Sequence, residues 1–228
     1  MSAWTLGGVG ANDKVAPQTH GKTGFAAIRE EIREGLFELI RTPLLRALAI
    51  SMGVIVVGGA IYSTVGILYL TRTLGFSPFA IGLFAACNGI GALTGAAVAG
   101  RIARRLTLGY AIVLAGFIEA FALFLVPLAS DTSTPEVVLV VSGVLSGFAY
   151  SVLSINQISL RQRITPVHLL GRVTSARRFL IFSMAPFGAL LGGWLGTVAG
   201  LHFTLIVAAV VTLIGAFIQY ASPIRSER

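Results

Sequence analysis

Glu119 is the only charged residue between Leu106 and Ser130, a run made otherwise of apolar and small residues. A carboxylate at such depth is costly to ionise in lipid, so an acid there is open to reading as a group that takes up and releases a proton. The alternatives are a protonated acid held by a neighbour, or one partly open to lipid or water. Asn88, at comparable depth in the preceding apolar run, is the residue that could donate or accept that bond. Ser142, Ser146, Tyr150 and Ser154 follow one another at intervals of four, with Asn156 and Gln157 just beyond. Residues four apart share a helical face. Lipid offers a hydroxyl no partner, so this stripe faces either a water-filled cavity or another helix. Tyr62, Ser63 and Thr64 make a smaller cluster that could meet it across a shared cavity.

Other chemistries find no support. The string APQTHGKT at 16–23 fits a relaxed phosphate-loop pattern, with Ala16 where the stricter form has glycine. No buried strand enters it and no apolar run ending in Asp stands ready for magnesium, so nucleotide binding is not expected. His20, His168 and His202 lie far apart without metal-ligand spacing, and no apolar run holds a histidine that could activate a serine. Neither an enzyme nor a cofactor or metal is expected. Cys87, the single cysteine, reads as a small buried hydrophobe.

The elements that must position these groups follow from composition. Of 228 residues, 55% are hydrophobic and 11% charged, where a soluble domain carries about 25% charged residues. The stretches 47–71, 73–100 and 137–160 have no formal charge, and each exceeds the ~20 residues that cross a bilayer. The uncharged stretch 179–224 would be ~69 Å long as one helix against a ~30 Å hydrocarbon core, so it must cross twice, breaking at Gly200, Leu201 and His202. A soluble α/β core is excluded because its strands run only ~4 to 8 residues between polar turns. The sequence therefore predicts an all-α polytopic membrane protein with spans at 47–71, 78–100, 108–130, 137–160, 179–199 and 203–221, together a six-helix unit over 43–222. Residues 1–24 are polar, lack a signal-peptide pattern and are expected to form a disordered tail. Over 25–42, Ile28, Ile32, Leu36, Leu39 and Ile40 oppose Glu30, Arg33, Glu34 and Glu38, which predicts an amphipathic helix along the membrane surface. Residues 223–228 are read as a second tail.

Arginines orient the spans. Arg29, Arg33, Arg41 and Arg46 precede the first; Arg101, Arg104 and Arg105 fall in the second loop; Arg161, Arg163, Arg172, Arg177 and Arg178 in the fourth; Arg225 and Arg228 in the tail. The opposite side holds Arg72, Asp131, Glu136 and His202. Positive loops stay in the cytoplasm, so both termini are predicted there. The same asymmetry accounts for the formal charge of +8 without a nucleic-acid partner.

The string GALTG at 91–95 nearly repeats as GALLG at 188–192. Each lies in the middle span of a three-span unit, and the two spans run in opposite directions, the layout of an inverted repeat in which small residues let helices pack closely. With these strings stand GRIARR at 100–105, PVHLLGRV at 166–173, EEIREG at 30–35 and PLLR at 43–46. In order and spacing, 28–220 resembles the C-terminal six-helix half of the major facilitator superfamily, in its drug and siderophore exporter branch. The resemblance implies that helices one and four line a central cavity, two and five form interfaces and gates, and three and six are peripheral, which counts against Glu119 of helix three as a coupling site and favours Tyr62, Ser146, Tyr150 and Asn156. It implies packing or gating roles for Gly91, Gly95, Gly188, Gly192, Gly100, Arg101, Arg104, Arg105, Gly171 and Arg172. Gly100 stands where the fuller loop motif has an acid, which removes a group that a charge relay needs.

What the resemblance implies for function is half of a secondary transporter exporting an amphipathic small molecule by alternating access with proton coupling, in a bacterial inner membrane. A second six-helix half, as a homodimer partner or separate chain, would complete it. The competing expectations are a non-transporting remnant or membrane-anchored interaction protein, and a small oligomeric channel.

Overall fold

The computed structural model describes Arg33 and residues 35–226. The tail expected over 1–24, the string at 16–23 and most of 25–34 lie outside these residues. What is described is helical, without a strand. After a helical segment at 35–41 come α1 (Pro43–Leu68), α2 (Pro78–Leu106), α3 (Leu108–Leu128), α4 (Pro135–Ile164), α5 (Leu170–Val198) and α6 (Leu201–Ala221). All six are long and apolar enough to cross a membrane.

Local sequence sets the boundaries. Pro43, Pro78 and Pro135 open α1, α2 and α4; at that position proline's missing N–H costs nothing and its fixed φ suits the helix. Ser77 caps α2, its Oγ accepting the Ala80 N–H at 3.3 Å. Gly200, at φ +87°, supplies the left-handed residue that separates α5 from α6. α1 ends in a π turn, Tyr69–Thr73, where the buried Tyr69 donates its hydroxyl to the Pro127 carbonyl of α3 at 3.1 Å.

The helices outrun the charge-free stretches. α2 continues to Leu106, so Arg101, Arg104 and Arg105 are helical and only Thr107 separates α2 from α3. α5 starts at Leu170, so Gly171, Arg172, Arg177 and Arg178, expected in a loop, lie on its first turns. Charge marks where hydrocarbon ends, whereas helix ends are set by backbone hydrogen bonding and caps. Nor is the end of the chain a loose tail as far as it is described. Pro223–Ser226 forms a short turn that buries Ile224, whose carbonyl meets the Cα face of Gly109 at the start of α3.

Helix pairing is two-fold. α1 packs on α5 and α6, α4 packs on α2 and α3, and α3 packs on α6. Exchanging α1 with α4, α2 with α5 and α3 with α6 maps this pattern onto itself, as two inverted triplets require. The register repeats too. A Cβ added at Gly91 would collide with the Val144 carbonyl and one at Gly95 would lie 2.5 Å from the Phe148 carbonyl. In the other triplet, Gly188 faces the Val57 carbonyl at 2.7 Å and Gly192 the Ile61 carbonyl at 3.0 Å. These four glycines bring helix backbones into direct contact.

The resemblance puts helix three at the periphery, yet α3 is the most enclosed of the six: 61% of its most apolar stretch is buried within the described residues, against 11% for α2 and for α5. α4, α6 and the Pro223–Ser226 turn cover it. α2 and α5 instead turn broad apolar faces outward, with Leu93, Phe182, Leu190 and Trp194 all exposed.

Candidate substrate hollow

All six helices bring residues to one hollow at mid-bundle. On α1, Val56, Gly59, Ala60 and Ser63 recur at i, i+3, i+4 and i+7 and so share a face. With Asn88 of α2, Glu119 of α3, Ser146 and Tyr150 of α4, Ala185 of α5 and Thr212 of α6 they enclose about 460 Å³. A second lobe of about 360 Å³, bordered by Tyr62, Phe84 and Ser142, shares Ser63, Asn88, Leu123 and Ser146 with the first. The two lobes adjoin at those four residues, with polar groups along walls that are otherwise apolar, as small-molecule sites are built.

Glu119 is 7% exposed. Its Oε1 accepts the Ser146 hydroxyl at 3.0 Å, and its Oε2 has no hydrogen-bond partner among the described residues. One neutral donor does not satisfy a carboxylate, which as an anion accepts several bonds and as an acid needs an acceptor for its own proton. The site can therefore receive a proton or a cation at Oε2, while the phenols of Tyr62 and Tyr150 and the Ser63 hydroxyl can bond a polar group nearby.

Asn88 does not meet Glu119. Its Nδ2 donates to the Gly143 carbonyl at 3.2 Å, tying α2 to α4 where Gly143 and Gly147 let the helices approach. The stripe on α4 divides: Ser146 and Tyr150 border the first lobe, while Ser142, though bordering the second, donates to the Ala122 carbonyl at 2.7 Å. Ser154 and Asn156 lie outside both lobes, and buried Asn156 returns its amide to the Val152 carbonyl at 2.8 Å. Of the α1 cluster, Tyr62 and Ser63 border the hollow; Thr64 turns toward α5, near Gly192, and bonds back to the Ala60 carbonyl at 2.8 Å. Gly100 and Gly171 are not packing glycines. A Cβ would meet nothing closer than 3.8 Å at Gly100 and nothing within 4 Å at Gly171. Arg101, Arg104 and Arg105 are exposed on the last turns of α2, away from the hollow.

Two features escape the sequence reading. Thr212 enters the hollow from α6, its hydroxyl bonded back to the Ala208 carbonyl at 3.0 Å. Near the arginine-bearing end, Gln157 and Arg161 of α4 and Thr165 just beyond it are all buried, and Arg177 of α5 donates to the Gln157 Oε1 at 3.1 Å. Their spacing of four is visible in the sequence, but Arg161 reads there as a loop charge.

The repeat's register carries into the hollow. The step that takes Val57 to Val144 takes Gly59 to Ser146, Ala60 to Gly147 and Ser63 to Tyr150; the step from Gly91 to Gly188 takes Asn88 to Ala185. On the outer helices, Ser142 meets Ala122 as Ile55 meets Gly215, and the same step pairs Glu119 with Thr212. Each triplet thus contributes matching positions with different side chains.

Six apolar helices in two inverted triplets around a polar hollow define a multi-pass membrane protein. The chain belongs to the major facilitator superfamily, whose family model matches residues 20–226. It is 29% identical over 224 residues to the multidrug efflux pump Tap of Mycolicibacterium fortuitum, covering 94% of this chain and 49% of that protein. It is 33% identical over 155 residues to rat solute carrier family 22 member 18 (67% of this chain, 37% of that protein). Human solute carrier family 67 member A1 is 32% identical over 157 residues (67% and 36%). The chain spans about half, or less, of the length of these relatives. No solved structure matches it significantly.

Proposed function

We propose that the chain forms one half of a secondary transporter that exports an amphipathic small molecule by alternating access, with Glu119 carrying the coupling proton. The observation that carries this reading is the buried Glu119 carboxylate, opening on a two-lobed hollow with one bond made and one oxygen free. Because α2 and α5 leave their apolar faces outside, a second six-helix half, a further copy or another chain, closes the hollow over the substrate. The name of the Tap relative favours export of drug-like molecules. The arginine-bearing ends of the helices then face the cytoplasm of a bacterial inner membrane, as the charge asymmetry directs. Transport without covalent change to the substrate belongs to the same reading.

The experiment is flux of ethidium, an amphipathic fluorescent probe, in proteoliposomes prepared with the chain and its second half under an imposed pH gradient. Glu119→Gln is expected to abolish the dependence on the gradient and to lower flux at least tenfold, while Glu119→Asp retains part of both. Gradient-driven flux that survives Glu119→Gln unchanged overturns the assignment of the proton to this residue.

A further inference from the structure

We propose that a crevice on the lipid side of α1 binds an anionic phospholipid, one acyl chain lying in the crevice and the headgroup phosphate at Arg46. The space measures about 670 Å³ and lies between the helical segment at 35–41, α1, α5 and α6. Leu36, Ile50, Gly53, Met184 and Val211 are among its walls, and among the described residues Arg46 is its only polar lining residue. At roughly 30 Å³ for each water-sized group, a sixteen-carbon chain needs on the order of 500 Å³, so the crevice takes one chain and not two. Its α1 wall, Ile50, Gly53 and Val57, lies on a different face of the helix from the residues that line the hollow. The crevice is therefore not an arm of the substrate site.

The occupant follows from charge and depth. Arg46 is in the first turns of α1, at the arginine-bearing end and exposed, its guanidinium without a hydrogen bond or ion pair to any described residue. A guanidinium at the mouth of an otherwise apolar slot matches a molecule with one negative head and a long hydrocarbon tail. The fit of the slot to hydrocarbon is built into its floor: a side chain at Gly53 would meet only the Met184 Cγ, at 3.9 Å, so glycine leaves there the volume that the chain fills.

Native mass spectrometry of the full chain, titrated with phosphatidylglycerol and with phosphatidylcholine of identical acyl chains, tests this. Wild type should retain one phosphatidylglycerol about fivefold more tightly than phosphatidylcholine, the preference one arginine gives at a membrane surface. Arg46→Gln should equalise the two lipids, and Gly53→Phe should lose both. Ile50→Trp, on the exposed rim, is a second filler should the first disturb folding, with thermal unfolding in lipid-free detergent as the check on both. Equal retention of the two lipids by wild type, lipid retained by both correctly folded fillers, or a second copy of the chain found in place of lipid overturns the proposal.

Discussion

At the scale of the residue, depth along the chain was legible and direction around the helix was not. Glu119 announced itself as the lone acid of a long apolar run, and it does lie at mid-bundle. Its partner was misjudged because equal depth in two helices says nothing of which faces meet: Asn88 is spent on Gly143, and Ser146 holds the acid. Thr212 was illegible because a threonine within a helix can satisfy its hydroxyl on its own backbone, as it does here on Ala208. Two outcomes follow for stability. Ser146→Ala removes a single hydrogen bond within the bundle and should lower stability by about 1 kcal/mol, read as a fall in thermal unfolding temperature in detergent. Thr212→Val keeps the shape and frees a carbonyl already bonded within its helix, so it should shift the same transition by less than Ser146→Ala does.

At the scale of the element, the sequence showed six spans because twenty-residue apolar runs leave few other solutions in a bilayer. It misplaced their ends, most of all before α5, where Arg172 to Arg178 look like loop and are helix. Glycine spacing was informative only where helices cross. GALTG and GALLG mark the two backbone contacts, whereas Gly100 and Gly171, given the same role, face open space. Neighbouring glycines of α5 turn this into a measurement. Gly192→Ala must push against Ile61 and should destabilise by about 1 to 3 kcal/mol. Gly193→Ala meets nothing within 4 Å, so it should be neutral or stabilising by up to about 1 kcal/mol. Thermal unfolding of the two variants side by side decides, and equal effects would remove close approach as the reason for the glycine at 192.

At the scale of the whole molecule, two strings of five residues foretold the inverted repeat, but only the folded pairing of α1 with α5 and α4 with α2 shows that the repeat keeps register. The open faces of α2 and α5 are where the proposal of a second half is exposed to test. Leu93→Cys and Leu190→Cys, at outward positions on those helices, should form bifunctional crosslinks to another six-helix chain in native membranes. Cysteine at Phe121, exposed on α3, should label freely and crosslink far less. Crosslinking as strong from α3 as from α2 and α5 would count against a facing half at that surface.

The matched positions in the hollow bear unmatched groups: acid against hydroxyl at Glu119 and Thr212, ring against hydroxymethyl at Tyr150 and Ser63. A scaffold with a two-fold axis is thereby given an electrical top and bottom. In the proposed function a charged guest settles off the axis, between Glu119 of the first triplet and Tyr150 of the second. In that proposed cycle, backbone motions related by the two-fold axis are unequal in the charge they displace, and a nearly symmetric frame acquires a direction.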